Sequence, residues 1–147
     1  ARLRPYLYAH RTPATAALHY DDGLGHPAGP NASDLSVRLA HRPGPDVEVS
    51  LDAWTTLRGR NADSLNYGAD PREPFTTRVP EPNPTLQGIR QRETAADLRA
   101  SVRVVPGLYA GLSLQGWLRD DAEAGRDGVV TAQAFLRWAL ATPSRRY

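Results

Sequence analysis

The chain has 147 residues, of which 18 are basic and 16 acidic, for a formal net charge of +2 at pH 7. That excess is too small to argue for a nucleic-acid binder, which usually needs a concentrated basic stripe, and every lysine-or-arginine position is an arginine. Cysteine is absent, which excludes a disulfide framework, a thiolate metal site and a thiol redox couple.

No run of residues approaches the ~20 apolar positions of a membrane-crossing helix. The mean hydropathy of −0.52 is that of a soluble chain. It does not decide against a β-barrel, whose lipid-facing residues occupy only alternate positions along each strand. Thirteen prolines and twelve glycines cut the chain into short segments and argue against long helices.

Period-two alternation starts at once, over 2–11, and resumes over 14–21 after a tight turn at Arg11-Thr12-Pro13. A longer loop from Asp21 to Ser33 leads to alternation over 34–42, and Arg42-Pro43-Gly44-Pro45-Asp46 is a short turn. Over 47–58, Val47, Val49, Leu51, Ala53, Thr55 and Leu57 oppose Glu48, Ser50, Asp52, Trp54, Thr56 and Arg58. A very long loop, Gly59 to Arg92, precedes the strand 97–104, in which Leu98, Ala100, Val102 and Val104 share one side. Val105-Pro106-Gly107 is tight. Residues 108–119 then set Leu108, Ala110, Leu112, Leu114 and Leu118 against Tyr109, Ser113, Gln115, Trp117 and Arg119. An intermediate loop from Asp120 to Gly128 leads to a last strand, where Val130, Ala132, Ala134, Leu136, Trp138 and Leu140 oppose Thr131, Gln133, Phe135 and Arg137.

Successive side chains of a strand point to opposite faces, so each segment has an apolar and a polar side. About seven strands result, with connectors alternating between short and long. An outer-membrane barrel has that pattern, with tight turns inside and extended loops outside. Strand lengths agree with the ~9–11 tilted residues that cross a bilayer, and a loop as long as 59–92 is awkward in a small compact domain. The predicted fold is all-β: an antiparallel up-and-down transmembrane β-barrel, with residues 1–147 as the C-terminal portion of a larger one and outer loops at about 21–33 and 59–92. The alternation from Ala1 and the uneven strand number predict further strands N-terminal to Ala1, since an open edge in lipid leaves backbone groups unsatisfied. Tyr20 and Trp138 are placed to sit at the outer and inner interfaces. A soluble β-sandwich fits each strand taken alone and stays open.

The run Leu24-Gly25-His26-Pro27-Ala28-Gly29-Pro30-Asn31, between a tyrosine-ended strand and Asp34-Leu35-Ser36-Val37, resembles the capsule-assembly Wzi family of outer-membrane barrels. Arg60-Asn61 and Ser64-Leu65-Asn66-Tyr67-Gly68-Ala69-Asp70 are similar to the family's following long loop. Gln87-Gly88-Ile89-Arg90 and Pro106-Gly107-Leu108-Tyr109 are similar to its last hairpins. The likeness runs from about Tyr6 to Leu140, and Leu-Gly-His-Pro is its most specific part. It implies a cell-surface barrel of the outer membrane that attaches or organises capsular or secreted polysaccharide without catalysis. The expected partners are membrane lipid, surface polysaccharide (acidic, given the arginines of the polar side), the strands missing before Ala1 and other envelope proteins.

Candidate binding residues follow from the polar sides. Arg58, Arg99 and Arg119 offer bidentate guanidinium contacts to sugar carboxylates, Trp54 and Trp117 offer stacking surfaces, and Tyr67 and Arg72 lie in the long loop where surface recognition usually resides. Arg2, Arg4, Arg38, Arg103 and Arg137 share that side with Glu48, Asp52 and Asp97, so an internal ladder of ion pairs is the competing reading. Gly25, His26, Pro27, Gly29, Pro30 and Asn31 are expected to shape a turn. The four histidines show no metal spacing, Asp21-Asp22-Gly23 and Asp120-Asp121 read equally as weak Ca²⁺ ligands or solvated loop acids, and no cofactor or catalytic residue is expected. A porin-like channel remains an alternative function.

Overall fold

The computed structural model describes residues 1–7, 18–19, 22–23, 25–62, 65–74, 78–80 and 82–139, and among them there is no helix. Strands β1 (Arg2–Leu3), β4 (Ala32–Gly44), β5 (Val47–Arg60), β6 (Ile89–Val105), β7 (Leu108–Asp121) and β8 (Gly125–Trp138) form one six-stranded sheet in that order. The sheet is antiparallel and open, each long strand pairing with its neighbour in sequence. At its start β1 lies against β4, with Arg2 opposite Ser33 and Leu3 opposite Ala32. β2 (Leu18–His19) and β3 (Asp22–Gly23) make a separate two-stranded ribbon.

Local chemistry sets the turns. At Pro106-Gly107 the proline ring fixes φ near ~−65° and Gly107 takes φ +83°, the pairing that a type II turn demands. Between β7 and β8, Asp121 Oδ1 accepts from the backbone N–H groups of Glu123 (2.9 Å) and Ala124 (3.0 Å), and Gly125 closes the turn at φ +79°. The carboxylate thereby takes over two backbone donors that the ladder leaves unpaired.

Side-chain pairs fix the register. Asp34 meets Thr56, Arg38 meets Asp52 and Arg42 meets Glu48 between β4 and β5. Thr55 meets Thr94 between β5 and β6, and Asp97 meets Gln115 between β6 and β7. Arg119 meets Asp127, and Arg137 lies 4.7 Å from the Tyr109 ring centroid, between β7 and β8. These pairs put all the even positions of β6, β7 and β8 on one side, with the odd positions of β4 and β5.

The two sides are buried the opposite way from a water-soluble sheet. Leu112 is 64% exposed and Leu136 75%, whereas Ser113 and Gln91 on the other side are each 6% exposed. Thr56 and Asp121 are buried with them, and the buried hydrophobic residues among those described are Ala28 and Ala32. A core of large apolar side chains, the usual cement of a small domain, is replaced by polar contacts.

By contact density the chain forms two units. One comprises Ala1–Leu35, Trp54–Thr94 and Leu118–Gly128 and contains the long loop; it is called the loop unit. The other, Ser36–Ala53, Ala95–Trp117 and Val129–Tyr147, contains the turns at Pro45-Asp46 and Pro106-Gly107; it is called the turn unit. The exposed Val37, Leu39, Leu98, Val102, Leu112, Leu114, Val130 and Leu136 all belong to the turn unit.

Several sequence boundaries shift. Of the strand expected over 2–11, Arg2–Leu3 is strand and residues 5–7 form a turn, while 8–11 lie outside the described residues. The loop expected over 59–92 narrows to 61–88, because β5 extends to Arg60 and β6 begins at Ile89. The loop from Asp120 to Gly128 shrinks to 122–124, which makes Asp120 and Asp121 strand residues rather than loop acids. The expected strand over 14–21 has only Leu18–His19 within the described residues; Tyr20 and the turn at 11–13 lie outside them.

Candidate functional site

In the loop unit, polar side chains do the fastening. Asn31 is fully buried at φ +53°, a backbone shape asparagine tolerates better than most residues. Its Nδ2 donates to the carbonyls of Gly59 (2.7 Å) and Gln87 (2.8 Å), and its Oδ1 accepts from the Leu86 N–H (2.7 Å). Its backbone N–H donates to the Arg4 carbonyl, and its carbonyl accepts from Gly59. One side chain thus ties the end of β5 to the loop leading into β6. Gly59 has no room for a side chain, since a Cβ there would lie 2.0 Å from the Gln87 carbonyl oxygen and 2.6 Å from Asn31 Nδ2.

A second knot orders the long loop. Asn61 Oδ1 accepts from the N–H groups of Tyr67 (2.8 Å) and Ala69 (3.2 Å), and Asn66 Oδ1 accepts from Gly68 (2.8 Å). The Tyr6 hydroxyl donates to the Asn66 carbonyl and accepts from the Val79 N–H (3.0 Å). Burial raises the Tyr6 pKa against the lowering effect of the Val79 hydrogen bond.

The third feature is Asp121, whose side chain is only 2% exposed. Arg60 grips it with two hydrogen bonds, Nε to Oδ2 at 2.9 Å and Nη2 to Oδ1 at 3.0 Å, and Gln91 Nε2 donates to Oδ2 at 3.2 Å. The Ala124 N–H, the Arg60 guanidinium and the Glu123 N–H, in that order, stabilise the carboxylate against burial and bring its pKa from 3.8 down to about 2. Both oxygens are committed, which leaves Asp121 poorly suited to hold a cation.

His26 faces a different carboxylate. Its Nδ1 accepts from the Ala28 N–H (3.2 Å), its carbonyl accepts from the Gly29 N–H (2.8 Å), and its Nε2 lies 4.0 Å from Asp34 Oδ2. Thr56 donates its hydroxyl to Asp34 Oδ1. The hydroxyl therefore contacts the acid and not the imidazole, so these three groups do not form a nucleophile–base–acid chain. In the same turn Gly25 and Pro27 are exposed, Gly29 takes φ +70°, and Pro30 is buried beside Asn31. Among the described residues no group of three histidines and acids is placed to hold a metal ion.

The polar side of the turn unit carries ion pairs: Arg38 with Asp52, Arg42 with Glu48 at 3.0 Å, Arg99 with Asp97 at 3.3 Å, and Arg103 with Asp46. Phe135 covers Gly111 so closely that a Cβ there would lie 2.4 Å from the ring. A glycine under an aromatic ring of the neighbouring strand lets the ring lie flat on the backbone.

The seven residues singled out for polysaccharide divide between the units. Trp54, Arg58, Tyr67, Arg72 and Arg119 are in the loop unit, and Arg99 and Trp117 are in the turn unit. Arg72 is paired with Asp70 (3.9 Å), Arg99 with Asp97 and Arg119 with Asp127 (3.7 Å). Trp54 is exposed, Trp117 half-buried, and the Tyr67 ring packs against Gly88. Arg58 is half-buried on the polar side, in the register position opposite Gln91 that the Thr55–Thr94 contact fixes. The sequence did not single out Arg60, Gln91 and Asp121 as a cluster. Its signal was the acid at Asp121 three positions before Ala124-Gly125, easily read as loop polarity.

Compared with known proteins, the chain matches no family model, no curated protein and no solved structure.

Proposed function

We propose that this chain is part of an outer-membrane β-barrel of the capsule-assembly kind, which binds or organises acidic surface polysaccharide and carries out no catalysis. The observation that carries the reading is the inverted burial: leucines and valines outward and exposed, Thr56, Gln91, Ser113 and Asp121 inward and buried. An exposed apolar surface this continuous calls for an apolar solvent or a partner.

Its dimensions suit hydrocarbon. On the outward side of β6 no charge occurs from Thr94 to Val104. That stretch measures about 33 Å at ~3.3 Å per residue, or about 25 Å along the normal of a barrel tilted by ~40°, the height of the apolar band of such barrels. Trp138, outward and 72% exposed at the end of β8, is positioned for an interfacial belt. Strands supplied from before Ala1 would close the sheet, since both β8 and most of β4 lack a second neighbour among the described strands.

Polysaccharide binding rests on the polar side. Most of its arginines are engaged with acids, which favours a ladder over an open basic pore and weighs against the channel alternative. Arg58, on the polar side opposite Gln91 and in none of the ion pairs among the described residues, is the cation best placed to meet a sugar carboxylate. The R58A/R119A double variant should bind acidic polysaccharide at least about tenfold more weakly, given the strength of charge-assisted hydrogen bonds; unchanged affinity would remove this site. The membrane reading is tested separately by refolding into vesicles with brominated acyl chains. Trp138 fluorescence should be quenched and that of Trp117 spared, and a monodisperse, detergent-free soluble protein would end the reading.

A further inference from the structure

The outward side of the loop unit carries a feature that neither the fold nor polysaccharide binding uses. On β6 the exposed even positions continue past Thr94 to Arg92 and Arg90, and on β8 they continue to Arg126. The Gln91–Asp121 hydrogen bond between β6 and β7, and the Arg119–Asp127 pair between β7 and β8, set the register here. In that register Arg92, Asp120 and Arg126 occupy neighbouring positions of one row across three strands. Arg90 is one step further along, its carbonyl accepting from the Ala122 N–H at 3.0 Å. All four residues are exposed. Among the described residues the three arginines form no ion pair, while the arginines of the polar side are mostly matched to acids.

Three outward guanidinium groups with one acid among them make a cationic patch. Along β6 and β8 it falls where the uncharged outward positions end, two residues beyond Thr94 on β6. Arginine forks onto phosphate oxygens with two parallel hydrogen bonds. We propose that Arg90, Arg92 and Arg126 bind the phosphate groups of anionic lipid headgroups at the membrane surface, and that this patch fixes how deep the sheet sits. The proposal rests on the reading that the outward side meets lipid. With Asp120 the one acid in the row, the patch keeps a net positive charge.

The test uses the full chain and vesicles of phosphatidylcholine with and without one-fifth phosphatidylglycerol. Each arginine near an anionic surface contributes about a fivefold preference, so two contribute on the order of twenty-fivefold. The R92Q/R126Q variant should lose that preference, keep its partition into pure phosphatidylcholine and keep its quenching by brominated acyl chains. R92K/R126K, which retains the charge, should restore most of it. R2Q/R4Q, which removes the same charge elsewhere, should leave it intact. An equal loss in R92Q/R126Q and R2Q/R4Q would overturn the proposal, because net charge alone would then explain the preference. Millimolar inorganic phosphate abolishing it at constant ionic strength would also overturn it, pointing to a site for free phosphate. If the parent chain neither partitions into phosphatidylcholine nor is quenched, the membrane reading itself has failed, which is a different result from losing the anionic preference alone.

Discussion

Replacing Asp121 with asparagine tests whether polar contacts, in place of an apolar core, hold the loop unit together. Its folded-state pKa of about 2 against 3.8 corresponds to about 2.4 kcal/mol at ~1.36 kcal/mol per pKa unit. The side chain is only 2% exposed, but its partner Arg60 is 36% exposed, so screening reduces the figure to about 1–2 kcal/mol. The sign follows from a depressed folded pKa: the contribution is present in full above the unfolded pKa near 3.8 and is lost as pH falls through about 2. Denaturant unfolding of the refolded protein in detergent, at steps from pH 7 to pH 2, measures it. D121N should be about 1–2 kcal/mol less stable than the parent at pH 7, and the gap should start to narrow near pH 4 and be nearly closed at pH 2. A gap that stays constant to pH 2 would show that the carboxylate charge is not the source. No gap at pH 7 would refute the claim that this cluster fastens β5, β6 and β7.

Truncating Asn31 to alanine removes three side-chain hydrogen bonds and leaves the Leu86 N–H and two carbonyls unpaired; a loss of about 2–4 kcal/mol in the same unfolding assay is expected. Asn31→Asp keeps the acceptor for Leu86 and faces two carbonyls with a negative oxygen, so it should be no better than alanine. Gly111→Ala pushes a methyl into the Phe135 ring and the Ala100 carbonyl and should cost about 1–3 kcal/mol. Adding Phe135→Ala should recover only the part owed to the ring, which a double-mutant cycle reads. Gly107→Ala, at φ +83°, should destabilise the β6–β7 turn by about 1 kcal/mol.

Much of the sheet is legible in the sequence because one side of each strand differs sharply from the other. Between Leu98 and Val104 the apolar residues alternate with Arg99, Ser101 and Arg103, and the strand is plain. The signal fails at 89–96, where both sides are polar: Arg90 and Arg92 outward, Gln91 and Glu93 inward. Period two is a contrast, and without contrast a strand reads as loop. The same effect hides the last residues of β7, where Asp120 and Asp121 point to opposite sides and only one of them is buried. The strand ends therefore vanish from the pattern at the level where the outward side changes from leucine and valine to arginine. That change is itself the clue to the cationic patch.

The sites divide along similar lines. Asn31 is visible as a turn residue in a glycine- and proline-rich run, since turn chemistry is local. Its role as a fastener is not visible, because Gly59, Leu86 and Gln87 come from sequence positions 28 to 56 residues away. Arg60 and Asp121, 61 residues apart, are ordinary surface charges until the pairing of β5 through β7 brings them together. Arginines on the polar side are easy to assign to a face. Which of them is matched by an acid depends on cross-strand register, and one residue of slip would exchange every partner.

In a uniform apolar surround, a sheet that turns its leucines outward would gain nothing from them in fixing register, because such a surround favours every register equally. Backbone ladders alone share that indifference. Specificity must come from the inward side, and there the structure places groups that are costly if misaligned: Asp121 under Arg60, Asn31 under the β5 end, Asp34 between His26 and Thr56. Shifting a strand by two residues preserves the alternation of sides but leaves these groups buried and unpaired, at about 1–3 kcal/mol each. The concentration of such knots in the loop unit, and of exposed leucine and valine in the turn unit, follows from that division of labour. The first sets register, and the second carries the exposed apolar side.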